Sequence, residues 1–197
     1  MTPAMAADLD TALMVLVQRD HPPSFGDLLD RNRTMVVQYL ARVVQNQAIA
    51  EELAQDVFIR VYRSRHAYTP SAKFSTWLYR ITTNVALNHF RDARKYQNNI
   101  SLDVLDADRI RREVPDNEVL IEDRLMRRER AHQIRRAIQS LPPKQRAAVI
   151  MHKYEEMDYA QIALVLGCTP SAVKALMFRA YEALRGRLSY LLKPVTA

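Results

Sequence analysis

The sequence predicts an all-α protein built as two small helical domains joined by a flexible acidic linker. Only three glycines and nine prolines occur in 197 residues. No run alternates Val, Ile and Thr with polar residues, and apolar residues recur at helical spacing through most of the chain. Hydrophobic residues make up 48% of the sequence, enough to fill real cores. The boundaries fall at residues 1–96, 97–121 for the linker, and 122–197.

In the first block, residues 25–45, 48–66 and 72–95 each carry helical spacing, with breaks at Asn46-Gln47 and at Tyr68-Thr69-Pro70-Ser71. The middle helix turns Ala50, Ala54, Val57, Phe58 and Val61 inward and leaves Ile49, Glu52, Asp56 and Ile59 on its other side. Aliphatic groups set among acids fit a protein-docking surface better than a purely solvated one. The third helix puts Phe74, Leu78, Ile81 and Val85 on a core face, while Arg80, Asn84, Leu87 and Arg91 line another side. Positive charge with amide and aromatic groups nearby suits single-stranded nucleic acid, whose backbone needs cations and whose unstacked bases need planar or amide partners. The alternative is that Trp77 and Tyr79 are core anchors and the arginines only solubilise the helix.

Residues 97–119 lack apolar periodicity and read as linker. Helices follow at 121–140 and 143–154, interrupted by Pro142-Pro143. The segment from Tyr159 to Glu182 then spells two amphipathic helices joined by a tight turn, a helix-turn-helix. Asp158 with Gln161 forms a capping-box pattern, and Tyr159, Ile162, Ala163 and Leu166 make the apolar stripe. Gly167 ends this helix; Thr169 caps the next, with Pro170 where an N–H can be spared. In the second helix Val173, Met177, Ala180, Leu184 and Leu188 share one face. Ser171, Lys174, Ala175, Phe178, Glu182 and Arg185 share the opposite one, the candidate for a DNA major groove.

The net charge of +7 is unevenly placed. Residues 1–96 carry 12 basic and 9 acidic groups, 97–121 carry 3 and 6, and 122–197 carry 14 and 7, giving +3, −3 and +7. The excess accompanies the helix-turn-helix, as expected for a polyanionic partner. Nothing points to catalysis or to a cofactor: the five histidines have no metal-ligand spacing, and there is no phosphate-cradling glycine loop. The single Cys168 cannot form an internal disulfide and is expected to be a small buried thiol. With no apolar stretch of about 18 residues and no signal peptide, a soluble cytoplasmic protein without a membrane span is expected.

Three elements, in this order and spacing, resemble the extracytoplasmic-function sigma factors of the bacterial sigma-70 class: Ala50-Glu-Glu-Leu-Ala-Gln-Asp-Val-Phe58; Phe74-Ser-Thr-Trp-Leu-Tyr-Arg-Ile81 with Asn84; and Leu141-Pro-Pro-Lys-Gln-Arg146 with Tyr159-Ala-Gln-Ile-Ala163, Val173-Lys174 and Phe178-Arg-Ala180. The resemblance implies a specificity subunit of RNA polymerase with no chemistry of its own. Its first block would be the region 2 domain and its last the region 4 domain. It implies docking on the core enzyme through Glu52, Leu53, Gln55, Asp56 and the neighbouring Phe58 and Ile59. It also implies melting and holding of the minus-ten element by the 67–73 loop and the following helix, with Tyr68, Lys73, Trp77, Arg80, Asn84 and Arg91 as candidates. Asn84 would lie beside a flipped base. Minus-thirty-five contacts fall to Ser171, Lys174, Ala175, Phe178 and Arg179, and an anti-sigma factor is a further possible partner. The sequence departs from the family pattern at Ile49 and Glu52, where Asp is usual, and at Ala175, Leu176 and Tyr181, where the recognition helix is usually richer in Arg and Ser. Two other readings are a dimeric helix-turn-helix regulator of duplex operators, which has no need of the 74–91 helix, and a helical protein-binding adaptor, which leaves the basic excess unexplained.

Overall fold

Several helices start where a side chain or a proline relieves the first unpaired N–H groups. In the computed structural model, which describes residues 3–70, 73–99 and 121–189, no strand occurs among the described residues. Helix α1 spans Pro3–Gln18, α2 Pro22–Val44, α3 Gln47–Arg63 and α4 Phe74–Asn99; α5 spans Ile121–Gln139, α6 Pro143–Tyr154, α7 Tyr159–Leu166 and α8 Pro170–Leu188. Prolines open α2 and α6. The Asn46 side chain accepts the Ile49 N–H at 3.1 Å to start α3. Helix α2 stops at Gln45, which adopts a left-handed conformation (φ 58°) and donates its N–H to the Ala41 carbonyl.

Seven of these helices match the sequence expectation to within a few residues. Helix α1 was not expected, and α4 continues to Asn99, into the segment read as linker. The remainder of that linker, residues 100–120, lies outside the described residues. Helix α1 is held by burial of Met14 and Val17 against α2 and α4. Its last residue, Gln18, donates to the carbonyls of Arg65 at 2.9 Å and Tyr68 at 2.8 Å, clamping the loop ahead of α4.

Val36, Tyr39, Leu40 and Val43 of α2 meet Ala50, Val57 and Val61 of α3 and Leu78, Val85 and Ala86 of α4. In the C-terminal half Ile150, Met151, Ile162, Val173 and Met177 are fully buried. The two halves also pack on each other, α7 against α4 and α6 against α2. Polar contacts stitch that junction. Glu155, in the α6–α7 turn, accepts from Tyr79 Oη of α4 and pairs with Arg42 of α2 at 3.1 Å. The Arg42 guanidinium lies 5.1 Å from the centre of the Tyr154 ring.

Candidate nucleic-acid and docking surfaces

The helix-turn-helix forms through the local chemistry its sequence carries. Asp158 Oδ1 accepts the Gln161 N–H at 2.8 Å while Gln161 Oε1 accepts the Asp158 N–H at 3.0 Å, a complete capping box. Gly167 is left-handed at φ 62°, the conformation that costs glycine least, and both its N–H and that of Cys168 donate to the Ala163 carbonyl. Thr169 Oγ1 then accepts from Ala172 N at 3.2 Å and α8 begins. Between α7 and α8 the chain turns by 100°, within the usual range for this motif.

Burial of Val173, Met177 and Ala180 fixes the rotation of α8, leaving Ser171, Lys174, Ala175, Phe178, Arg179, Glu182 and Arg185 exposed. Phe178 is 67% exposed, an unusual place for a phenyl ring unless a partner covers it. Arg185 pairs with Glu182 at 2.5 Å, whereas Lys174 and Arg179 have no carboxylate partner among the described residues. Leu184 and Leu188 are only half-buried. Cys168 is exposed, contrary to the expected buried thiol. The left-handed turn at Gly167 carries residue 168 off the apolar stripe of α7 and out to solvent.

On α4, Arg80, Asn84 and Arg91 are exposed along one side, as their spacing predicts. Asn84 has no hydrogen-bond partner among the described residues, and Arg91 pairs only with its neighbour Asp92, at 3.3 Å. Trp77 is half-buried; its ring meets Tyr68 edge-on at 5.1 Å and Phe74 at 5.9 Å. Tyr68 itself is 3% exposed, with its hydroxyl buried and without a hydrogen-bond partner among the described residues. In this conformation Tyr68 anchors the loop rather than facing a base. Lys73 is exposed; Ser71 and Ala72 lie outside the described residues.

On α3, Glu52, Gln55, Asp56 and Ile59 are exposed, but Leu53 is 8% exposed and packs inward, placing its role in the core rather than at a contact surface. Sequence reading missed what lies beside this face. Phe25 and Leu29 of α2 join Ala54, Phe58, Ile59 and Tyr62 of α3 around an apolar groove of about 400 Å³. Ile59 and Tyr62 on its rim are 48% and 42% exposed. The apolar spacing within 25–45 was visible in the sequence, but pairing Phe25 with Tyr62, whose rings meet at 5.1 Å, requires the α2–α3 hairpin to close.

Comparison with known families places both halves. Residues 28–96 match sigma-70 region 2, and residues 131–184 match sigma-70 region 4. CarQ of Myxococcus xanthus, an RNA polymerase sigma factor, is 34% identical over 168 residues, covering 85% of this chain and 91% of CarQ. This chain belongs to the extracytoplasmic-function sigma factors of the sigma-70 family. The sigma factor SigW of Bacillus subtilis is 29% identical over 87% of this chain and 92% of its own length. SigE of Mycolicibacterium smegmatis is 34% identical over 85% of this chain, which spans 62% of that longer relative. The fold of the sigma factor is that of CnrH, solved in complex with the cytosolic domain of CnrY, with a TM-score of 0.65 at 20% identity over 93% of this chain and 99% of CnrH. RpoE from Bartonella quintana, solved with the anti-sigma factor NepR, gives a TM-score of 0.62 at 17% identity over 84% and 96%. Both halves being sigma-70 regions, the protein acts in transcription initiation, and the dimeric operator-binding regulator is disfavoured.

Proposed function

We propose that this sigma factor divides its work between its halves. Residues 1–96 dock on core RNA polymerase and hold the melted minus-ten strand, residues 97–121 connect, and residues 122–197 read the duplex minus-thirty-five element. Docking uses Glu52, Gln55, Asp56 and Ile59, set on Leu53, together with the adjoining apolar groove of α2 and α3. Minus-ten capture uses Arg80, Asn84 and Arg91 beside Trp77, with Tyr68 and Lys73 positioning the loop. Minus-thirty-five reading uses Ser171, Lys174, Ala175, Phe178 and Arg179. The work is done in the cytoplasm, with no reaction catalysed by the chain.

The observation that carries the reading is the pair of unpartnered polar surfaces in one chain. Among the described residues, Asn84 and Arg80 on α4 and Lys174 and Arg179 on α8 are exposed and have no hydrogen-bond or ion-pair partner. An amide and a guanidinium on a helix beside an aromatic cluster match an extruded base and its phosphates, and the outer face of a recognition helix matches a major groove. With so few donors on α8, phosphate contact and DNA shape contribute much of the minus-thirty-five affinity. Regulation by an anti-sigma protein is in keeping with the solved relative RpoE, which is bound to NepR.

Run-off transcription with core polymerase on a randomised promoter library tests the whole reading. Enrichment of two separated sequence elements is expected. Transcription independent of the added chain, or selection of a single palindromic element, would overturn it. The Glu52→Ala and Asp56→Ala variants should weaken assembly with core while melting at the parent temperature, because both side chains are exposed.

A further inference from the structure

The turn between α3 and α4 is held from outside itself. Arg65–Ala67 form a single 3-10 turn, in which Tyr68 donates its N–H to the Arg65 carbonyl at 3.2 Å. So short a turn closes few bonds of its own, and their geometry is poorer than in an α-helix. Gln18, the last residue of α1, supplies what is missing. Its Nε2 donates to the Arg65 carbonyl at 2.9 Å and to the Tyr68 carbonyl at 2.8 Å. A primary amide nitrogen carries two hydrogens, so one side chain serves both acceptors.

A second contact from the same end of α1 reinforces the first. Met14 and Val17 are buried in the core and fix the helix. Beyond it the chain turns tightly: the Leu16 carbonyl accepts from Arg19 at 3.0 Å and His21 at 3.2 Å, and the Val17 carbonyl from Asp20 at 3.1 Å. Asp20 is left-handed at φ 57°, a region that Asp and Asn enter more readily than other side chains. Its carboxylate pairs with Arg65 at 2.8 Å. Arg65 donates in turn to the Tyr62 carbonyl at 3.1 Å and lies 4.3 Å from the centre of the Tyr62 ring. The end of α1 therefore grips the turn twice, through a neutral amide and through an ion pair. Both residues precede the region 2 match, which begins at 28.

What the grip controls lies immediately beyond it. Tyr68 is buried, its ring edge-on to Phe74 and Trp77, and Phe74 at the start of α4 is buried as well. Thr69 and Lys73, between these two anchors, are exposed. Moving either anchor moves what the exposed residues can reach. A contact group already held in place by supporting hydrogen bonds binds without the cost of being ordered first.

We propose that Gln18 is a positioning residue for minus-ten recognition: by holding the Arg65 and Tyr68 carbonyls, with Asp20 holding the Arg65 side chain, it fixes where Thr69 and Lys73 meet the melted strand. The proposal rests on the minus-ten reading of the 67–73 loop. It gives α1 a part in promoter specificity without any contact to DNA.

The test uses holoenzyme and single-stranded oligonucleotides carrying the preferred minus-ten sequence or single-base substitutions of it. Gln18→Leu removes both donors and keeps the apolar stem. It should weaken binding of the preferred strand by about 3- to 10-fold, the worth of one or two hydrogen bonds, and weaken the substituted strands less, so that discrimination narrows. Affinity for duplex minus-thirty-five DNA should stay at the parent value. Gln18→Lys, whose ammonium can donate to both carbonyls, should restore discrimination. Asp20→Asn suits the same left-handed turn but removes the ion pair, and it should narrow discrimination in the same direction by a smaller factor; it decides the matter if Gln18→Leu does not fold. Equal weakening of every strand, with a lower melting temperature, would make Gln18 a purely structural residue and overturn the proposal, as would discrimination unchanged from a parent that discriminates. A parent holoenzyme indifferent to the minus-ten sequence would remove the reading of the loop itself, and this proposal with it.

Discussion

The guanidinium of Arg146 donates through Nη1 to the Val43 carbonyl oxygen at 2.9 Å, joining residues 103 apart in sequence across the junction of the two halves. The same group donates to the carbonyls of Gln139 and Leu141, and it stands 5.0 Å from the centre of the Phe90 ring. One cation thus meets the C-terminal carbonyls of both α2 and α5, where the helix dipoles concentrate negative charge. Arg146 is 7% exposed, and burial disfavours its charged form, drawing its pKa downward. Arginine still stays protonated, so carbonyls and a ring do the work a carboxylate would do elsewhere.

Arg146→Met keeps much of the volume but strands those carbonyls. The expected cost is about 2 to 3 kcal/mol, since hydrogen bonds to a charged group are worth about 1.5 to 3 kcal/mol and buried acceptors are left bare. Urea unfolding measures it; a change under about 0.5 kcal/mol would show that the junction does not depend on this contact.

Alkaline pH should loosen the same junction. Tyr39 is buried against Thr83 Oγ1 at 2.8 Å, and burial raises its pKa well above the ordinary tyrosine value. Burial likewise raises that of Tyr79, reinforced by its hydrogen bond to Glu155. The folded state therefore holds both phenols protonated while the unfolded chain releases those protons near pH 10. Stability from this source is complete below about pH 10 and is lost as pH rises above it. Thermal melts at rising pH should fall steeply in the parent and less steeply in the Tyr39→Phe/Tyr79→Phe variant. Equal slopes would mean that other groups govern alkaline unfolding.

Tyr68→Phe should leave stability unchanged or raise it by up to about 1 kcal/mol, because the hydroxyl it removes is buried without a partner among the described residues. The edge-on contacts with Phe74 and Trp77 are retained by phenylalanine. A clear drop in melting temperature would reveal a partner for the hydroxyl. If the ring swings out to meet the minus-ten strand, the variant will also keep near-parent open-complex formation, since stacking needs only the ring.

Asn84→Ala should melt at the parent temperature, because the amide is exposed and bonded to no described residue. It should nonetheless reduce open complex, scored by permanganate reactivity of promoter thymines, while binding core normally. A template already unpaired across the minus-ten region should recover much of the loss, since the unstacking cost of a few kcal/mol per base is then met in advance. Normal opening of duplex DNA by the variant would end the base-capture assignment.

Lys174→Ala and Arg179→Ala separate two modes of reading on α8. A bidentate base contact should cost about 1 to 3 kcal/mol and shift the preferred minus-thirty-five sequence. A phosphate contact should weaken all sequences alike and lower the salt slope by about one. Quantitative binding to a panel of minus-thirty-five variants distinguishes them; unchanged affinity and preference would mean that this face of α8 does not meet DNA.

Much of this molecule is set by short-range chemistry and was legible from residues alone. Asp158 with Gln161, Gly167, and Thr169 with Pro170 fix the ends of α7 and α8 through contacts spanning five residues or fewer, and apolar spacing then dictates which face of α8 is left outside. The same spacing put Arg80, Asn84 and Arg91 on one exposed side of α4. What depended on remote partners was not legible. Tyr68 became an anchor because Gln18, fifty residues away, holds its carbonyl, and Leu53 turned inward because neighbouring helices cover it. Cys168 turned outward with the glycine turn. The roles of Arg146 and Glu155 arise only where the two halves meet. Helical periodicity fixes which side of a helix is apolar, but only tertiary packing decides what covers that side and which polar groups are drawn into the seam.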